Sequence, residues 1–241
     1  MSNTLKSYFT TTNNMLYSYL LAVPLLLLYE ALIIISQPAS SFPVRISVDV
    51  WFKSFFELFG LNSLTFTLIV AVGFGIYVFS KEREQVKSLR YSFFPILLIE
   101  STIFAVVVSM ISQSLVGLLV GIAQNGGEIV EFSILQQIAL SLGAGLYEEL
   151  FFRVILVSLL VWLFSFMFSK KWASNIAAVV LAAMLFSAVH YIGSFGDPFT
   201  IGSFMYRFIF GLFLNVIYVT RGFGVAAWTH AIYDLLVILV F

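Results

Sequence analysis

Apolar stretches of about twenty residues, broken by short polar interruptions, recur along almost the whole chain. About seven are read: Met15–Ser36, Leu61–Ser80, Phe93–Gly121, Ile134–Phe168, Trp172–Tyr191, Ile201–Thr220 and Phe223–Phe241. A helix of some 20 such residues crosses ~30 Å of hydrocarbon, with its backbone polar groups satisfied internally. Trp51–Phe59 is too short to span, and its aromatic residues and two charges predict an amphipathic helix lying in the interface. The first run carries Pro24 and Glu30 and lacks a basic leader and a small-residue cleavage site, so it reads as a retained span. The predicted fold is all-α: a polytopic transmembrane bundle of about seven spans with a short interfacial helix.

Composition sharpens this picture. The 241 residues are 61% apolar and 10% charged, with a mean hydropathy of +1.04. An ordinary soluble domain has roughly 25% charged residues. Lipid must cover most of the surface, so the bilayer is the first partner. Twelve basic and twelve acidic residues leave no excess to neutralise a phosphate backbone, and nucleic acid is not expected. Without cysteine there are no disulfides or thiolate sites, and any metal would need His and carboxylates. Lys81, Arg83, Lys87 and Arg90 mark one loop as cytoplasmic, and seven spans put Lys6, Lys170, Lys171 and Arg221 on the same side. The loop Gln124–Glu131 carries only acidic charge. An integral protein of the plasma (inner) membrane is expected, N-terminus in and C-terminus out. Nothing in the sequence specifies an oligomeric state.

Ionisable groups inside spans are expensive and mark function by default. Here they are Glu30, Glu100, Glu148, Glu149, Arg153, His190, Arg207, His230 and Asp234, which include both histidines of the chain. Glu149 and Arg153 stand four apart on nearly one helix face and can pair, while Glu148 points about 100° away. A carboxylate in a poorly hydrated cavity suits a general base near neutrality. An ion pair that merely fixes helix packing is the plainer reading of the same motif. His230 and Asp234 share a face, so Asp234 can orient the ring or join it around a metal or a water. Two imidazoles and a carboxylate from separate spans are what is needed to hold zinc with one open position, or a polarised water without metal.

Other hydrolytic designs fit less well. No Glu follows either His in an H-E-x-x-H pattern. Ser187 lies on the same turn as His190, and Asp197 before Pro198 sits in a loop.

The ordered set Glu148-Glu149-x-x-x-Arg153, Phe186-x-x-x-His190 and His230-x-x-x-Asp234 resembles the CPBP family of CAAX proteases and bacteriocin-processing enzymes. The resemblance covers roughly Gln136–Phe241. It divides the chain into N-terminal transmembrane helices over 1–133 and a catalytic helical core over 134–241, within one integrated membrane domain. It implies an intramembrane endopeptidase acting on a membrane-associated peptide or protein. Glu148 would activate water, and His190 and His230 would hold that water or the oxyanion. Glu149 and Arg153 would give structural support, and Phe186 would pack beside His190. Glu148, His190, His230 and Asp234 are also the candidate ligands should zinc be bound. Relatives carry Asn or Asp where Asp234 stands, which leaves prenylated and leader-type substrates both open. A non-catalytic immunity or scaffold protein and an ion-coupled transporter using Glu30, Glu100, Glu148, Arg207 and Asp234 as its relay are the other readings.

One geometric demand follows. Straight helices put His190 ~27 Å but His230 only ~12 Å from the cytoplasmic starts of their spans, so tilt, a break near Gly222 and Gly224, or shifted helix ends must bring them level.

Overall fold

The apolar runs fold as helices close to where hydropathy ends them. A computed structural model describes residues 2–37, 44–60, 62–120, 132–193 and 196–240, and every regular element among them is helical. The acidic loop Gln124–Glu131 lies outside the described residues. Helix α1 (Ser2–Thr12), which hydropathy did not announce, precedes α2 (Met15–Ser36). Asn14 caps α2 by accepting from the Tyr17 N–H. Then come α3 (Ser47–Glu57), α4 (Ser63–Lys81), the short α5 (Arg83–Lys87) and α6 (Phe93–Val120). Next is a continuous rod: α7 (Ile134–Gly143), two π-wound segments at Ala144–Glu148 and Leu150–Val157, and α8 (Ser158–Ser165). Helices α9 (Lys171–Val189), α10 (Ile201–Arg221) and α11 (Phe223–Val240) complete the chain.

Four of these helices are long and apolar enough to cross a membrane on their own. Shorter apolar helices at Thr65–Lys81 and Phe223–Leu239, with the rod, agree with about seven spans. Large apolar side chains such as Ile34, Val72, Ile99, Ile176 and Val219 point outward, as lipid-facing residues must.

Helix α11 is the axis, packing against α2, α6, α7 and α10. Lipid tails are as apolar as leucine, so close packing rather than hydrophobic exclusion must join such helices, and small residues allow it. Ala226, Ala227 and Ala231 of α11 are fully buried. A Cβ on Gly145 would lie 2.5 Å from the Ala227 carbonyl oxygen and 2.7 Å from the Ala231 Cβ, so only glycine lets the rod and α11 cross here.

Glycines also set where α11 begins. Gly222, at φ +87°, turns the chain between α10 and α11. A Cβ on Gly224 would stand 2.8 Å from the Leu21 Cβ and 2.9 Å from the Ser18 Cα. Helix α11 thus starts beside the second turn of α2 and below its end, with the Trp228 indole N–H donating to the Leu21 carbonyl (2.8 Å). Above it, α1 covers the gap: Arg221 pairs with Glu100, and Tyr8 donates to the same carboxylate (2.6 Å).

The short helix expected at the interface has two distinct faces. In α3 the charged face turns inward and the aromatic one outward: Asp49 and Lys53 are buried, whereas Trp51 and Phe55 are exposed. Lys53 lies 2.5 Å from Glu30 and 2.8 Å from Asp49, and Arg45 adds bonds to Glu30 (3.1 Å) and Asp49 (3.0 Å). Burial by itself lowers the Arg45 guanidinium, but Glu30 and Asp49 outweigh it and hold Arg45 above its ordinary range. In a water-poor setting the partners of these charges decide the helix's orientation.

Two substitutions test these contacts. Gly145→Ala should lower the unfolding midpoint in detergent by an amount equivalent to ~1–3 kcal/mol, because the clash is with backbone. Lys53→Met should destabilise by ~3–5 kcal/mol, and adding Asp49→Asn should recover part of it, since one unpaired buried charge is worse than none.

Candidate active site

The rod, α9, α10 and α11 each bring one part of the site, and one residue joins them. Glu149, with no exposed surface, accepts from His230 Nδ1 through Oε1 (2.7 Å), and its Oε2 stands 3.0 Å from Arg153 Nε. Arg153 is buried too, its guanidinium 4.4 Å from the centroid of the Phe186 ring and 3.5 Å from the Gly211 carbonyl oxygen. A Cβ on Gly211 would meet Phe186 at 3.0 Å, so α10 must be small at this point.

Phe186 is the spacer. Its ring centroid lies 5.1 Å from that of His190 and 5.9 Å from that of His230, edge-on to both. Phe152 covers it from the rod (5.3 Å), and Phe210 of α10 covers His230 (5.4 Å). The two histidines are therefore brought together on one aromatic residue despite their unequal positions along their own helices.

Hydrogen bonding fixes which edge each imidazole presents. His190 Nδ1 is 2.8 Å from the Phe186 carbonyl oxygen, which can only accept, so Nδ1 carries the proton. Nε2 is left facing Glu148 Oε2 at 3.9 Å, beyond direct hydrogen bonding and within the span that one oxygen bridges. The same argument gives His230 a proton on Nδ1, toward Glu149, and turns its Nε2 to Asp234 Oδ2 at 3.7 Å. Glu148 Oε2 is buried with no hydrogen-bond partner from the protein. The side chains of Glu148 and His190 keep 12% and 25% of their surface accessible and that of Asp234 28%, so the cluster opens on that side.

The sequence pattern pairs Glu149 with Arg153 and His230 with Asp234. The link from Glu149 to His230 spans 81 residues and has no local signature. Nor do the roles of Phe210 and Gly211. Ser187 donates to the Phe204 carbonyl (2.7 Å), and Asp197 pairs with Arg207, so neither joins the cluster. Among the described residues, no three His or carboxylate groups form a metal-ligand set; each imidazole has its Nδ1 engaged and offers only Nε2.

The π-winding is centred here, flanking Glu149 on both sides. Such widened turns inside helices concentrate at functional sites. Tyr147 anchors this stretch to the N-terminal half: its hydroxyl is 3.5 Å from Glu30, and Lys53 lies 5.6 Å from its ring centroid.

Comparison with known proteins gives one match to a family model, over the C-terminal part of the chain. Residues 130–236 match the model described as type II CAAX prenyl endopeptidase Rce1-like. No curated protein and no solved structure matches the chain.

If Glu149 holds His230 through its charge, Glu149→Gln should lower both turnover and the unfolding midpoint, because Arg153 loses its buried counter-charge (~3–5 kcal/mol). Asp234→Asn should leave the midpoint within about 0.5 kcal/mol, since that carboxylate is partly exposed.

Proposed function

We propose, from the match of residues 130–236 to the type II CAAX prenyl endopeptidase Rce1-like model, that this chain is an intramembrane endopeptidase with Glu148 as the general base of peptide hydrolysis. The observation that carries this reading is the buried, unpartnered Glu148 Oε2 standing 3.9 Å from the free edge of His190. A water between these atoms donates to the carboxylate and is aimed by the imidazole.

The steps follow from that placement. Glu148 takes the proton as the water oxygen attacks the scissile carbonyl carbon. The carbonyl oxygen becomes an oxyanion, and the donors within reach are the imidazole N–H groups of His190 and His230 on their Nε2 edges, when protonated. Glu149 fixes the His230 ring plane, as a carboxylate behind an imidazole does in other hydrolases. Collapse of the tetrahedral intermediate breaks the C–N bond, and Glu148 returns its proton to the leaving amine. Asp234 lies near His230 Nε2, where it influences that nitrogen's proton.

The substrate class proposed is a peptide with a C-terminal C-a-a-X sequence whose Cys carries a prenyl chain. The lipid would lie along the exposed apolar helices while the peptide enters on the open side of Glu148, His190 and Asp234. The plasma (inner) membrane is the proposed location. A relay for ion transport is less favoured by the contacts: Glu100 is occupied by Arg221 and Tyr8, and Glu30 by Arg45 and Lys53.

Glu148→Gln in purified protein should lower cleavage of a prenylated peptide by about 10²–10⁴-fold, with the unfolding midpoint unchanged, as read by mass spectrometry of the released fragment. Retained turnover would remove Glu148 from the role of base.

A further inference from the structure

Arg207 is a cation close to the site that this chemistry does not use. It lies on α10, three residues before Phe210, so the two share a helix face, and Phe210 is packed against His230. One helix turn, ~5 Å, thus separates the level of Arg207 from that of the histidine contact. The residue after His190 holds it from the other side: Tyr191 accepts from Arg207 Nη1 through its hydroxyl (2.9 Å), with the guanidinium carbon 5.3 Å from the centre of the ring. Ser203 accepts from Nη1 as well, and Ser203 and Tyr191 are hydrogen-bonded to each other (2.8 Å).

These contacts fix one nitrogen of the fork and leave the other to Asp197. That partner is replaceable. Its side chain is 52% exposed against 25% for Arg207, and exposed ion pairs are worth little. Asp197 therefore stands where another carboxylate can take over, on a planar donor suited to carboxylate geometry.

We infer that Arg207, braced by Tyr191 and Ser203, binds the free C-terminal carboxylate of the substrate in exchange for Asp197. The inference rests on the hydrolase reading above and adds what sets the cleavage position. An extended peptide advances about 3.3 Å per residue. A carboxylate gripped one helix turn beyond the histidine contact leaves only a few residues between the chain end and the bond facing Glu148. The site is then selective for chain ends, and internal segments lack the anion it needs.

The test compares two peptides that share an S-prenylated cysteine three residues from the end, one with a free carboxyl terminus and one closed as the amide. They are assayed with the wild-type protein, Arg207→Gln and Arg207→Lys, with Glu148→Gln as the inactive reference. Wild type should favour the free acid by about 10- to 100-fold in kcat/KM, the size of one charge-assisted contact. In Arg207→Gln the loss should be confined to the free acid, erasing the preference. Arg207→Lys should keep part of it. Equal rates on acid and amide in wild type, or equal losses on both in Arg207→Gln, would overturn the carboxylate role while leaving the hydrolase reading in place. Cleavage of neither peptide by folded wild-type protein would bring down that reading, and this inference with it.

Discussion

A carboxylate with no exposed surface inside a bundle bathed in hydrocarbon is stable only if its partners are supplied by the protein, and Glu149 shows how many parts must agree to supply them. One oxygen takes His230 from α11 and the other faces Arg153 one turn further along the rod. Arg153 in turn needs the Phe186 ring of α9 and reaches the Gly211 carbonyl of α10. Four segments distant in sequence are tied to a single charge. The penalty for an unpaired buried ion thus enforces the geometry in which Glu148 faces His190 and Asp234 faces His230.

Around this centre lies a second buried ionic group, on the side of α2 and α3. Glu30, Asp49, Arg45 and Lys53 match charge for charge, and Tyr147 connects them to the π-wound stretch. With no water-driven force to press helices together in lipid, ionic clusters and small-residue crossings act as the adhesive. The N-terminal helices are in this respect part of the site's foundation, although the family match begins only at residue 130.

Much of the scaffold was readable in advance. Met15–Ser36 and Ile201–Arg221 begin and end almost where hydropathy changes, because a spanning helix is defined by its solvent. The inward turn of Lys53 was hidden, since amphipathicity shows that two faces exist but not which one meets lipid when the polar face finds counter-charges. Helix α1 was missed because its polar composition gives no hydropathy signal. At the site, the spacing of Glu149 to Arg153 announced a local pair. The bond from Glu149 to His230 did not show, for it depends on where α11 starts against α2, which the close approach at Gly224 helps to set. Arg207 was visible as a misplaced charge, yet its neighbours Tyr191 and Ser203 acquire meaning only from the folded corner between α9 and α10.

Phe186 carries a last implication. Because one benzene ring touches both imidazoles and the guanidinium, these three groups cannot drift independently over evolutionary time. A shift that improved one spacing would disturb the other two, so variation should accumulate in the lipid-facing shell while this aromatic plate stays still, a fixed gauge against which the reactive atoms are set.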